Sequence, residues 1–484
     1  MLRSVVGEET QLKATEDRLL RRDTEIGVII GKVLDHRAFV YTLVPTPPTD
    51  SGQSPCRIVT NNKKSKNDKG SSSGSKSTLN SPPLTVDMEW VGEHARQVSR
   101  MLLGGMNVVG IYILASQDSF KASTPILCQT IKSVAISNQN RHQDQQLLLH
   151  ISNQNPRRWI CRICSLSSTN TTSNLHPCDF KMAKLLPSLN SFTSTYNFQF
   201  RLPIFSEPHN PCTFKDAIQS AITFLAEELK LSKALIDGNL VTEDMQFNTE
   251  GAHEVELLSP FMNEPPELGK SSEVYGHVIF SGTVRALAYL GSRTSMSQVI
   301  SDIKTDIITS LQCRLDIISE EIEGDAGLPL TDVEKESNNI SVDKSESQLI
   351  LCEMRKPCSI LFPKRVFIPL LSNVFICDYL KQLETFEDVK DHCKEMWSME
   401  VPAKSKMLEL EKEANDVIGK SLWNWDVCDS ASAAHRSTTV ADCGNGNKND
   451  YRSRHLNLNI LAITICIVLL SAFTAWVIKY FKKA

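Results

Sequence analysis

IGVIIGKVLDHRAFVYTLV, residues Ile26 to Val44, is the stretch on which the fold of this chain turns. Aliphatic residues run almost unbroken on both sides of Asp35-His36-Arg37. That pattern reads as two strands joined by a tight turn, and apolarity without alternation means both faces are buried. Pro45, Pro47 and Pro48 end the second strand. Downstream, Asp87 stands as an N-cap, with Trp90, Val91, His94, Ala95, Val98, Met101 and Leu102 at helical spacing behind it. Gly104-Gly105 stops that helix, and Met106 to Leu114 follows as another buried strand. The Gly27-x-x-x-Gly31 spacing lies inside a strand, so it carries no helix-dimerisation meaning.

Outward from this core the chain alternates strands and helices irregularly, which predicts an α+β class with an α/β middle region. Residues 49–86 read as a disordered insertion, because their centre, KKSKNDKGSSSGSK, cannot bury enough surface to fold. Leu147 to Ile151, Trp159 to Leu166, Tyr196 to Leu202 and Val278 to Leu290 read as strands, and Thr213 caps a helix carrying Phe214, Ile218, Ile222, Leu225 and Leu229. Ser297 to Ile322 is the longest helix candidate, and residues 323–348 form an acidic, serine-rich loop. Val366 to Leu370 and Val374 to Tyr379 predict a hairpin, followed by a helix opened by Thr385 with Asp388 in a capping-box position. The expected organisation is residues 1–123, then 124–400, then a helical segment and flexible tether over 401–459.

Residues 460–478, ILAITICIVLLSAFTAWVI, carry no charge. At helical rise they span roughly 28 Å, the thickness of a bilayer core. Ile460, Leu461, Ile465, Ile467, Leu469, Phe473, Trp476 and Ile478 are the expected anchor residues, and Trp476, Lys479, Tyr480, Lys482 and Lys483 form an interfacial border. The N-terminus has no apolar signal region, so a body made first and a span made last predicts a tail anchor and a cytosolic body. The sequons at Asn170 and Asn339 are then expected to stay unmodified. The net charge of −4 gives no reason to expect nucleic acid as a partner. Fourteen scattered cysteines do not form a disulfide framework.

Cys161-x-x-Cys164, with His176 and Cys178, invites a zinc reading, but WICRIC reads as a strand, where residues three apart point to opposite faces. His94 and His150 sit in apolar runs and read as core histidines. No P-loop, G-x-S-x-G or H-E-x-x-H occurs. No catalytic residue, metal ligand or cofactor is therefore expected.

The run GVIIGKV, EWVGEHARQVSRMLLGG and MNVVGIYILAS resembles the odorant response abnormal protein 4 family. So do LLLHIS, WICRIC, SGTVRALAYLGSRTSMSQVISDIKTDIITSLQCRLD, KRVFIPL, VFICDYL and TFEDVKDHCKEMW. The resemblance implies a tail-anchored protein of the endoplasmic reticulum that assists folding and trafficking of multi-spanning receptors. It also implies an association with the protease specific for ubiquitin-fold modifier. The first part is similar to an MPN domain whose metal site has decayed. In active members two histidines after the central strand hold zinc, and here Ile113 and Ala115 stand in their places. The general-base glutamate's position is taken by Thr24, with Glu25 one residue off. The resemblance implies a non-enzymatic adaptor, and the apolar helix face makes Trp90, Val91, Val98 and Met101 the expected partner contacts. The rival reading is a membrane-anchored cysteine or metal-dependent hydrolase, which requires a Cys-His-Asp cluster in a cleft.

Overall fold

Asp35 adopts a left-handed conformation, φ 52°, which lets two residues turn the chain between β2 (Glu25–Leu34) and β3 (Arg37–Pro45). In this computed structural model the described residues are 2–59, 82–137, 144–154, 156–167, 175–205, 214–241, 251–258, 274–291, 295–325, 363–371, 374–381, 384–401, 409–411 and 418–419. They include β1 (Ser4–Glu8), α1 (Glu9–Leu19), β4 (Cys56–Ile58), β5 (Leu84–Val86), α2 (Met88–Arg100), β6 (Asn107–Ala115), α3 (Gln117–Ala122), α4 (Thr124–Ser137), β7 (Gln145–Ser152), β8 (Trp159–Ser165) and β9 (Leu175–Ala183). Strands β1, β3, β2, β6, β7, β8 and β9 pair in that order into a closed barrel, sealed by parallel pairing of β9 with β1. Leu12 and Leu19 of α1 join Ile29, Val109, Leu114 and Leu149 in one buried cluster. On the other face Ile26, Val28, Ile111 and Ile113 pack with Val91 and Val98 of α2 and Ile131 of α4. Both faces of β2 and β6 are buried, which is what their unbroken apolarity requires.

Two boundaries differ from expectation. The barrel continues past residue 123, because β7, β8 and β9 complete the sheet that β6 would otherwise leave with an open edge. The ends of the 49–86 segment are also ordered. β4 and β5 pair antiparallel, and Cys56, Leu84 and Val86 are buried in the core. Their short apolar triplets have a buried surface to cover.

A second sheet follows, built from β10 (Leu189–Phe205), β11 (Lys233–Ile236), β12 (Asn239–Leu240), β13 (Ala252–Leu258), β14 (Val274–Gly291) and β18 (Ile418–Gly419), in the order β12-β11-β13-β10-β14-β18. Phe198 and Phe200 alternate inward as the period of two predicts, and pack under α5 (Phe214–Leu231) and α6 (Met296–Asp325). The stripe Ile303, Ile307, Leu311, Leu315 and Ile318 of α6 is core. A third sheet pairs β15 (Lys364–Leu371) with β16 (Val374–Leu380) and with β17 (Glu409–Leu410). Thr385 and Asp388 form the expected capping box at α7 (Phe386–Trp397).

Met1–Trp425 is one compact unit. The Gly104-Gly105 corner joins its sheets. Lys32, 3% exposed, donates to the carbonyls of Gly104 (3.4 Å) and Tyr289 (3.2 Å) and to the Asp302 carboxylate. Gly105 has φ +76°, and an added Cβ would lie 2.7 Å from that carboxylate. Gly105→Ala is therefore expected to lower the unfolding free energy by about 1–3 kcal/mol from backbone strain alone, read as a lower urea midpoint. An unchanged midpoint would mean the corner is free to open.

Several expectations fall outside the described residues: the centre of the 49–86 segment, Asn170, Thr213, Asn339, the loop beyond Asp325, most of the helical segment and tether over 401–459, and the anchor over 460–478. The described elements of 401–459, Glu409–Leu410 and Ile418–Gly419, are strands and not helix, because they extend the edges of neighbouring sheets. Among the described residues no helix is long and apolar enough to cross a membrane.

Candidate functional site

Ile113 and Ala115 stand where the resemblance implied lost metal ligands. Ile113 and Ala115, at the end of β6, are fully buried among the aliphatic residues under α2 and α4. Carbon side chains fill the volume that imidazoles would need, and neither can donate to a metal. Glu25 lies in register with Leu114, one residue out of step with Ile113, so its side chain points to the opposite face of the sheet. There the Tyr112 hydroxyl donates to it at 2.6 Å, Arg18 Nη1 donates to both its oxygens at 2.7 and 2.8 Å, and Arg22 Nε lies 3.2 Å away. Burial, reinforced by the Glu25 charge, pushes the Tyr112 phenol well above its usual range. A carboxylate held by two guanidiniums and a phenol has no lone pair left for water activation. The cluster is a structural clamp between α1, β2 and β6.

The two histidines read as core residues are placed in the core. His150, in register with Ile113, is fully buried, bonds the Ala115 carbonyl through Nε2 at 3.0 Å and stacks on Phe120 at 4.2 Å. His94 Nε2 bonds the Met396 carbonyl at 2.9 Å, and burial pushes its pKa down to about 4. β8 sends Cys161 into the barrel interior and Cys164 to the other face, so the CxxC pair does not converge. Among the described residues no three His, Cys, Asp or Glu side chains are grouped to hold a metal.

The expected partner contacts need correction. Val91 and Val98 are fully buried and Met101 is 1% exposed. They pack inside this chain because α2 lies between the barrel, α4 and α7, and Trp397 Nε1 reaches the Met101 sulfur at 3.2 Å. Trp90 alone of the four retains surface, and its indole donates to the Pro47 carbonyl at 2.9 Å.

A cleft of about 270 Å³ opens between α2, α6, β16 and α7. Sequence reading missed its central pair, His392 Nδ1 and Asp378 Oδ2 at 2.8 Å. The hydrogen bond to Asp378 raises the His392 pKa. The signal was present: Asp378 is an acid inside the apolar run VFICDYL. The rival hydrolase reading needs a thiol beside this pair. Cys377 and Cys393, next to it in sequence, are fully buried, and burial pushes both thiols up to about 12. The pair fastens α7 to β16.

A family profile described as odorant response abnormal 4-like matches residues 27–407. A Pongo abelii protein named protein odr-4 homolog is 24% identical over 423 residues, covering 82% of this chain and 83% of its own length. A Dictyostelium discoideum protein of the same name is 26% identical over 394 residues, covering 78% and 76%. Among solved structures, UfSP from C. elegans aligns with a TM-score of 0.37 and 8% identity, over 85% of this chain and 60% of that one. That likeness is too slight to carry an argument.

Proposed function

The chain belongs to the odorant response abnormal 4-like family, and from that premise we propose that it is a non-enzymatic, tail-anchored adaptor of the endoplasmic reticulum membrane. One observation carries the non-enzymatic part. The side chains where an MPN-like barrel would hold zinc are buried carbon, and the nearby glutamate is neutralised on the opposite face. The membrane part rests on the uncharged run at 460–478. The body, an MPN-like barrel followed by α+β sheets, faces the cytosol. Treated as the coil its polar, aperiodic composition predicts, the run 427–455 would give the body a reach of roughly 30 Å from the bilayer. The adaptor acts by restricting a bound partner to the membrane surface, which raises its effective concentration there without new catalytic contacts. The partners in this reading are the protease specific for ubiquitin-fold modifier and multi-spanning receptor clients. The partner contact lies on exposed surface of the body and does not use Val91, Val98 or Met101.

The test compares intact protein with a variant ending at residue 459. The intact protein is expected to recover the protease in the membrane fraction. The truncated one should recover the same protease in the soluble fraction. If the protease stays on membranes in cells lacking this protein, tethering is refuted, and a direct role in client folding takes its place.

A further inference from the structure

Each cysteine of the Cys161-x-x-Cys164 motif has its own thiol neighbour, on opposite faces of β8. Cys164 meets Cys128 of α4, and both are fully buried. Cys161 stands directly opposite Cys178 in the antiparallel β8–β9 ladder. Opposed residues in such a ladder share a face and hold their Cα atoms about 4.5–5.5 Å apart, within the about 4.4–6.8 Å across which a disulfide closes. Both side chains belong to the barrel's interior cluster, and both are free thiols. Their accessibility differs: Cys161 is 3% exposed, whereas Cys178 is half-exposed. Their position matters as well. β9 closes the barrel through parallel pairing with β1, from Ser4 opposite Asp179 to Glu8 opposite Ala183.

We infer that Cys178 is a thiol–disulfide exchange site, at which a low-molecular-weight disulfide such as oxidised glutathione drives a cross-strand Cys161–Cys178 bond that pins β9 to β8. Cys178 gives its proton to solvent and its thiolate attacks one sulfur of the oxidant. The oxidant's S–S bond breaks, one glutathione thiolate leaves, and a mixed disulfide forms. Cys161 then loses its proton and attacks the Cys178 sulfur, and the second glutathione thiolate leaves. Two protein thiols are oxidised, one glutathione disulfide is reduced to two thiols, and those thiolates take up the two released protons. Burial raises both protein thiols, Cys161 to about 12, so the exchange is slow at neutral pH and quickens as pH rises. The Cys128–Cys164 pair is the internal comparison. Hydrogen bonding to Cys164 lowers the Cys128 thiol, yet its complete burial keeps it from an oxidant of that size.

The experiment takes the full-length chain, reduces it, exposes it to oxidised glutathione, alkylates the remaining thiols and maps the peptides. The expected product joins the peptides of Cys161 and Cys178 and disappears on treatment with dithiothreitol. Hydrogen exchange should slow in β9 and β1 of the oxidised form. Cys161→Ser should leave a persistent glutathione adduct on Cys178, and Cys178→Ser, at a half-exposed position that tolerates the change, should abolish both products. A stable glutathione adduct on Cys178 of the unaltered protein, with Cys161 still alkylated, would overturn the proposal. So would an unmodified Cys178, or a cross-link joining Cys161 to a different cysteine.

Discussion

Asp306→Ala is expected to cost the body about 3–5 kcal/mol, a large share of the roughly 5–15 kcal/mol that holds a typical domain folded. Asp306 is 5% exposed and Arg365 1%. Arg365 donates through Nη2 to Oδ1 of Asp306 at 2.8 Å and through Nη1 to Oδ2 at 3.1 Å, and Nη1 also reaches the Arg285 carbonyl at 3.1 Å. The Leu287 amide donates to the same carboxylate at 3.0 Å. This knot ties β15, β14 and α6 together. Beside it Arg314 pairs with Glu411, whose other oxygen accepts from the Arg285 amide at 2.6 Å. Removing Asp306 strands a guanidinium in the core with no countercharge, and that penalty exceeds the net worth of the pair. The measurement is urea unfolding of residues 1–425. Replacing both partners, Asp306→Leu with Arg365→Met, should restore much of the loss. A double variant no more stable than Asp306→Ala would show that the carboxylate's hydrogen bonds, not charge pairing, dominate.

The second large effect is acid instability through His94. This side chain is 4% exposed and takes up a proton in the folded state only near pH 4, because burial opposes its charge. The unfolded chain takes one up near pH 6.5. Between those values the unfolded state binds more protons, so stability is full above about pH 6.5 and falls as pH drops. The loss reaches about 2 kcal/mol by pH 5 and about 3 kcal/mol near pH 4. His392 works the other way. Its folded pKa is raised by Asp378, so its contribution is complete below the unfolded value and is lost as pH rises through the raised one. Urea midpoints at pH 7.5 and pH 5 test this. His94→Leu should flatten the acid slope, whereas an equal slope in that variant would assign acid sensitivity to other groups.

Much of the secondary structure was legible because its signals are local. Asp87 caps α2, with its side chain accepting the Trp90 amide at 3.1 Å, and Thr385 caps α7 through Asp388. The β15–β16 hairpin and the helix α6 follow from apolar spacing within single segments. β1 and α1 escaped notice: β1 is five residues long, and α1 buries only Leu12, Thr15 and Leu19. At the candidate site, the apolar character of Ile113 and Ala115 was readable residue by residue. The clamp on Glu25 was not, since Arg18 and Tyr112 are 94 residues apart.

The sequence by itself determined where the long apolar strands and the capped or strongly periodic helices lie, which of their faces are apolar, that the CxxC motif cannot converge and that a nineteen-residue uncharged run stands at 460–478. Only tertiary structure decided what those faces meet. The apolar stripe of α2 reads the same whether it awaits a partner or a core, and packing against the barrel, α4 and α7 made it core. The barrel's closure by β9, the pairing of β4 with β5 and the Lys32–Asp302 contact across 270 residues were settled in the same way. Periodicity records that a residue must be buried, while the identity of its neighbour depends on which distant segments lower the free energy by meeting there.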